Sequence, residues 1–577
     1  MADIPVSATG ILARFLEAGI ISSADFHTAE RLAWHCGERS QELAKLALAL
    51  TMRALRQGSV CLDLATAHTL ASETEDPESQ AVPWPSLDDF LAALQASPLA
   101  QIGTSDSSCR PLRLVGTLSY LERYWRAERD VERSLRLRSA SAMTPQPVRI
   151  GTLNPAQDRA VTAVGRHPVT VITGGPGTGK TRTAAAIVAA YPGARIALAA
   201  PTGKAAARLQ ESVCAELSGL QLSSPPGTTL HRLLGLHPAR PNAPRHDADN
   251  PLPFDLVIVD ETSMISLTMM RQLLAAVRPD AHLALIGDRD QLASIDAGAV
   301  LADLGEATHL LPGGDSAVVQ LEQNYRFGGS ILAAAAAIRD GDPEACLAAL
   351  EPGSGGQAEL VETLSTDLSS LPGLRERLSE WAHGLRQAAE EGDSAEATRV
   401  LEAHRLLCAH REGPYGAQRW NRAIADWLAP GQRHRGALWP VGQPLLVTQN
   451  APAGTTSDQV WNGDSGVIVR TPQGPRAAIA RGNGPLLVPP AMLDGVAELY
   501  AMTIHKSQGS QFDAVSIILP PVGSPLLTRE LAYTALTRAK SRVTIYGSAE
   551  ALAEAIRTPA RRASGLARFS PAPPRSR

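Results

Sequence analysis

The densest chemistry in the 577-residue chain is TGGPGTGKT, residues 173–181, where Gly174, Gly179, Lys180 and Thr181 satisfy the spacing G-x-x-x-x-G-K-[ST]. Glycines let the loop from Gly174 through Gly175, Pro176, Gly177 and Thr178 to Gly179 curl its backbone N–H groups around phosphate oxygens. A helix opening at Lys180 would present its positive end to the same charge. Lys180 would reach the β- and γ-phosphates of ATP, the Thr181 hydroxyl would ligate Mg²⁺, and Arg182 joins the same nucleotide-binding set. The chain uses lysine at only five positions, Lys45, Lys180, Lys204, Lys506 and Lys540, against a Lys+Arg total of 54. A compact ammonium fits inside such a loop where a planar guanidinium does not.

Downstream, LVIVDE ends an apolar run in Asp260 and Glu261. A carboxylate at the C-terminal end of a buried strand faces the crevice where ligands bind in open α/β sheets. Asp260 would hold the Mg²⁺ shell, and Glu261 would orient or deprotonate the attacking water. HLALIGD runs into RDQLASI and places Gln291 just past another strand end, a candidate sensor of the γ-phosphate.

These residues need strands and helices to hold them. TVITGG, RIALAAPT, FDLVIVDE and HLALIGD alternate with TRTAAAIVAAY and KAAARLQESVCAEL, the pattern of βαβ units around a buried parallel sheet. A second such region follows VVQLEQNYRF and closes with AVSIILP and RVTIYGS, with Gly- and Pro-punctuated β-branched runs at about 435–495 indicating a small β-rich insertion. The expected fold class is α/β: two P-loop-type domains with parallel sheets over 146–317 and 318–559, a mainly helical domain over 1–145 and a disordered basic tail over 560–577. SASAMTPQPVRIG reads as the linker before the first sheet.

Composition narrows the function classes. A net charge of -4 gives no global attraction to nucleic acid, so a polyanion site must be a local groove. No apolar run is long enough to span a membrane and MADIPVSATG lacks a secretory pattern, so the cytoplasm is the expected compartment. The six cysteines, Cys36, Cys61, Cys109, Cys214, Cys346 and Cys408, form no CxxC pair, which argues against a metal knuckle or disulfide framework. No D-x(n)-E-x-K carboxylate cluster stands out, and nuclease activity is not expected in this chain.

In order along the chain, QDRA, TGGPGTGKT, APTGKAAARL, TLHRLLG, VDE, GDRDQLAS, LEQNYRF, WNGDSG, TIHKSQGSQF and YTALTRAK resemble the motifs of superfamily 1 DNA helicases over about residues 150–550. The chain resembles most closely the RecD family, the α subunits of the helicase-nuclease exodeoxyribonuclease V (RecBCD), with softer matches at GSVCLDL and LSYLERYWRAE. The resemblance implies two RecA-like domains with ATP between them and single-stranded DNA across their top. It implies that Gln157 reads adenine, that Tyr325 stacks on the base, and that Arg326 and Arg538 reach the γ-phosphate from the second domain. Thr202, Lys204, Arg208, His231, Asn462, Thr503, His505, Lys506 and Gln508 become candidate DNA contacts. It further implies 5′-to-3′ translocation and assembly with RecB-like and RecC-like subunits, one of them carrying the nuclease. A stand-alone relative and an ATP-regulated scaffold subunit are the alternatives. Residues 1–145 are expected to dock on the partners, while Leu121, Tyr124 and Trp125, on one helix face, suit an interface or the domain's own core equally.

Overall fold

The computed structural model describes residues 10–70, 82–105, 110–146, 151–218, 222, 224–237, 240, 243–326, 328–351, 356–364, 370–371, 373–428, 439–452, 459–482, 484–560 and 562–568. The acidic stretch 71–81, linker residues 147–150, Cys109 and the tail 569–577 lie outside them.

Two parallel sheets organise the chain. The first has six strands in the spatial order Val318–Leu321, Val169–Gly174, His282–Gly287, Leu256–Val259, Ile196–Ala200 and Gly227–Thr229. Every pairing is parallel. The runs VTVITG, LVIV and HLALIG are buried at every position, as strands covered by helices on both faces must be. The second sheet orders Ala358–Glu362, Ala539–Gly547, Phe512–Ile518, His404–Cys408 and Ala501–Thr503, again all parallel.

The boundary between the halves differs from the one read at 317/318. Val318–Leu321 hydrogen-bonds alongside Val169–Gly174 and completes the first sheet, so the connector to the second half starts after Leu321. The insertion takes shape as a five-stranded antiparallel sheet, Leu486–Val488, Arg476–Ile479, Ser465–Val469, Pro444–Val447 and Val496–Glu498, with its own apolar centre around Val447, Ile468 and Ile479.

The N-terminal region combines the helices Gly10–Glu17, Ser23–His35, Glu42–Arg56, Leu87–Ala96 and Glu122–Arg136 with a four-stranded sheet. Helix Glu122–Arg136 lies on helix Leu267–Ala276 of the first parallel-sheet half. Trp125, Val131 and Leu135 share one core with Met270, Leu273 and Leu274. Trp125 is 2% exposed and belongs to the core, as does Tyr120 at 2%, while Leu121 and Tyr124 are half-buried. The expected linker is also pinned: Ser139 N donates to Pro279 O (3.2 Å), Met143 N to Gly165 O (2.8 Å) and Gln146 N to Ala190 O (2.8 Å). Just before it, the Arg138 guanidinium donates to the carbonyls of Leu274 (2.7 Å), Val277 (3.2 Å) and Arg278 (3.1 Å), capping the end of helix Leu267–Ala276. A chain beginning near residue 146 is therefore expected to melt well below the full chain. Uncovering three large apolar side chains costs about 1.5–3 kcal/mol each. Equal melting temperatures would show that this seam contributes nothing.

The C-terminal segment corrects another expectation. Residues 562–568 are not a free tail. Leu566 is fully buried, Ala563 O accepts from Val60 N (2.8 Å), and Arg568 pairs with Asp63 at 3.0 Å. Arg562 donates to Ser294 O in the first half, and Ala560 N to Glu530 in the second, so the segment straps three parts together. Its buried anchor is Glu128, which accepts from Ser564 Oγ (2.8 Å), Gly565 N (3.0 Å) and Tyr120 Oη (3.2 Å).

Burial pushes the Glu128 carboxyl up to about 7, and burial likewise raises Asp303, beside the same Ser564, to about 7. A carboxyl raised above its ordinary 4.5 favours the folded state while protonated. Its contribution is complete at acidic pH, is lost as pH rises from about 4.5 towards about 7, and levels off above. The melting temperature should fall from pH ~5.5 to ~8, and Glu128→Gln should flatten that fall without removing it, since Asp303 still titrates. An unchanged slope in the variant would contradict this assignment.

Candidate active site and strand track

The phosphate loop follows directly from Val169–Gly174. Gly177 (φ +85°) and Gly179 (φ +86°) adopt left-handed backbone that other residues reach only under strain, and a Cβ on Gly177 would meet Arg326 Cβ at 2.7 Å. Helix Lys180–Ala190 opens at Gly179, and its alanine-rich length is buried against the sheet. Lys180 Nζ is held over the loop by the carbonyls of Gly174 (2.6 Å) and Gly175 (3.0 Å). Thr178 is buried and closes the turn through Oγ1 to Gly175 O (2.8 Å).

Pro176, Gly177, Gly179, Lys180, Thr181, Arg182, Asp260, Glu261, Gln291, Tyr325, Arg326 and Arg538 line one cavity of ≈570 Å³. Residues as far apart in the chain as Pro176 and Arg538 thus meet at one cavity. Asp260 is pushed up to about 6 by burial and by the adjoining Glu261. Glu261 holds φ at 51°, the one non-glycine with positive φ among the described residues, a conformation that costs about 1–3 kcal/mol and concentrates at functional positions. Among the described residues no three His, Cys, Asp or Glu side chains cluster as a self-contained metal site. The half-buried acid pair, lining the same cavity as Thr181, is nonetheless a donor set suited to a hard cation shared with phosphate oxygens.

Gln157 is 1% exposed, and its Nε2 has no hydrogen-bond partner. That amide lies against Gly179, where a Cβ would stand 2.5 Å away, with the Tyr325 ring 4.0 Å from the same point. An unsatisfied buried donor is costly, and a ligand acceptor would relieve it. Tyr325, 55% exposed, is steered by Asn154 Nδ2 donating to its hydroxyl (2.8 Å), which itself donates to Gln323 Oε1 (2.9 Å).

The two arginines differ from expectation in origin. Arg538 comes from the second half and is 2% exposed, its Nε donating to Thr534 O at 3.0 Å. Arg326 lies on the connector immediately beyond the last strand of the first sheet, where Asn324 Nδ2 donates to Pro176 O (2.8 Å) and Tyr325 N to Gly177 O (2.9 Å). Desolvation where it faces the cavity, with the charges of Arg208 and Arg538, holds Arg326 down at about 10 although the residue keeps solvent contact on the connector, and burial lowers Arg538. Cations crowded in this way are the electrostatic counterpart of a polyanion.

The strand track is less complete. Lys506 and Asn462 are exposed, Thr202, Thr503 and His505 half-buried. Thr202 Oγ1 accepts from Ala205 N (3.2 Å) and Thr503 Oγ1 from Lys506 N (3.3 Å), both turn-capping bonds. Lys204 Nζ lies 3.5 Å from Ser465 Oγ of the insertion. Gln508 spends its amide across the halves, Nε2 to Leu292 O at 2.7 Å. His231 lies apart, in a cavity with Arg123, Tyr124 and Arg271. Arg208, expected on this track, also lines the cavity that holds Lys180 and Asp260.

Sequence reasoning missed Asp288. It ends strand His282–Gly287, is buried, and accepts from Gln291 Nε2 (2.8 Å) and Asp290 N (3.1 Å), fixing the candidate sensor. The rule that found Asp260, a carboxylate ending an apolar run, applies equally to HLALIGD.

Three family models match the chain: an AAA domain at residues 152–355, a UvrD-like helicase C-terminal domain at 498–546, and the N-terminal domain of RecBCD enzyme subunit RecD at 17–120. The RecBCD enzyme subunit RecD of Mycolicibacterium smegmatis is 46% identical over 95% of this chain and 97% of its own length. That of Mycobacterium tuberculosis is 44% identical over 98% and 97%. The ATP-dependent RecD2 DNA helicase of Deinococcus radiodurans is 32% identical over 70% of this chain and half of its own length.

Proposed function

The chain belongs to the RecD family of RecBCD enzyme subunits, and from that premise we propose that it is an ATP-driven DNA helicase, the single-strand motor of a helicase-nuclease complex. The observation that carries the reading is the cavity in which Lys180, Asp260 and Glu261 of the first sheet meet Arg538 of the second. Hydrolysis there depends on how the halves close, so ATP state becomes inter-domain distance.

In this reading the loop Gly174–Gly179 and Lys180 hold the β- and γ-phosphates, Gln157 Nε2 donates to adenine, and the exposed Tyr325 ring stacks on it. Thr181 and Asp260 would hold Mg²⁺, which supplies charge neutralisation on the phosphate oxygens when bound. Glu261 orients the attacking water and accepts its proton. Gln291, set by Asp288, reports the γ-phosphate, and Arg326 and Arg538 stabilise the charge that develops as the bond breaks. Thr202, Lys204, Asn462, Thr503, His505 and Lys506 contact strand phosphates, which positions DNA without reading its sequence.

Translocation runs 5′ to 3′, with RecB-like and RecC-like subunits as partners, the nuclease in a partner, and double-strand break repair and degradation of linear DNA in the cytoplasm as the setting. The N-terminal region is both the partner-docking element and a cover for the motor. No helix of the described residues is long and apolar enough to cross a membrane.

The strand track has its own test. Lys506→Ala is expected to weaken single-strand binding alike for all sequences and to reduce the slope of log K against log salt by ~0.7, one phosphate's share. A loss confined to some sequences would make Lys506 a base reader.

A further inference from the structure

Arg208 leaves the helix Gly203–Ser218 of the first half and grips a loop of the second. Its Nη1 donates to Gly509 O at 2.8 Å, and its Nη2 to Gln511 Oε1 at 3.3 Å. The gripped loop begins with Thr503, His505, Lys506 and Gln508, the candidate strand contacts. Gly509 turns at φ +72°, a left-handed conformation that glycine adopts without strain, so the gripped loop has a point at which it can pivot. Two further bonds hold the loop from the nucleotide side. Gln508 Nε2 donates to Leu292 O (2.7 Å), next to Gln291, and Arg538 Nη1 donates to Ser510 O (3.4 Å).

The same guanidinium faces the nucleotide cavity, where its charge bears on Asp260, Arg326 and Arg538. Its partners at Gly509 and Gln511 are neutral oxygens. Phosphate oxygens in the cavity would offer charge-assisted bonds roughly twice as strong. One fork therefore has two competing sets of acceptors, one on the strand-contacting loop and one on the nucleotide.

We propose that Arg208 is the positioning residue that couples the two ligands: without triphosphate it holds the loop 503–511, and with triphosphate it is drawn to the phosphates and frees the loop to change its grip on DNA. This rests on the motor reading above, and it assigns the coupling to one side chain on the first half. A lysine keeps the charge but cannot bridge two acceptors as a planar fork does.

The test uses the full chain, a fluorescent oligodeoxythymidylate and a non-hydrolysable ATP analogue with Mg²⁺. The readout is the ratio of oligonucleotide Kd values with and without saturating analogue, which by linkage equals the reciprocal effect on the analogue. The wild-type ratio is expected to differ from one by about 5- to 150-fold, the usual range of coupling between sites, and Arg208→Lys to bring it within about twofold of one. Gln511→Ala, which removes a single acceptor, should shift the ratio part of the way, so that a folding defect in the arginine variant would not shield the proposal. A wild-type ratio of one, or a wild-type ratio retained in both variants, overturns it. A wild-type chain that binds no analogue contradicts the motor reading itself.

Discussion

Lys180→Gln is expected to lower DNA-stimulated ATP hydrolysis by about 10² to 10³, the usual cost of removing one preorganised electrostatic donor from a reacting centre. Nζ is the cation nearest the loop floor, held by Gly174 O and Gly175 O. The other cations lining the cavity, Arg182, Arg208, Arg326 and Arg538, are guanidiniums approaching from its walls. A glutamine amide, one bond shorter, keeps a polar donor and loses the charge where phosphate charge is greatest. The fold should survive, because the helix is anchored by its buried face from Thr183 to Ala190 rather than by this side chain. A normal melting curve with more than about a tenth of the rate, a barrier change below ~1.4 kcal/mol, would sink the assignment.

Arg538→Ala should lose about 10³ to 10⁵ in turnover while binding ATP nearly as well as the wild type, because an arginine finger acts chiefly on charge that develops in the transition state. Its guanidinium is preorganised by Thr534 O and Ser510 O and is buried, so little is spent ordering it when the halves close. Arg326 is exposed on the connector, and its replacement should cost less. Kinetics that place the whole loss of Arg538→Ala in ATP affinity would assign it to ground-state binding instead.

The phosphate loop was legible because its glycines, lysine and following helix are local, and each strand near it is an unbroken apolar run. Asp260 and Gln291 were legible for the same reason. Non-local pairing hid the rest. VVQL reads equally as the start of the second half, and only its hydrogen bonds to Val169–Gly174 assign it to the first. Lys204 and Arg208 are four residues apart on one helix and look equivalent, yet one meets Ser465 of the insertion and the other Gly509. Residues 562–568 look like a basic tail in composition, and their docking depends on Glu128, more than 400 positions earlier. Trp125 sits on a helix face that could serve a partner or a core, and its neighbour across the seam, helix Leu267–Ala276, decided for the core.

The central claim is that ATP hydrolysis in this cavity moves the chain along single-stranded DNA. Its most direct test is strand separation by the full chain with its partner subunits, any ATP site of the partners inactivated, on duplexes carrying a 5′ or a 3′ single-stranded tail. The account predicts ATP-dependent unwinding of the 5′-tailed duplex that disappears with Lys180→Gln. Unwinding that persists in that variant, or ATP hydrolysis without separation of either duplex, would contradict it.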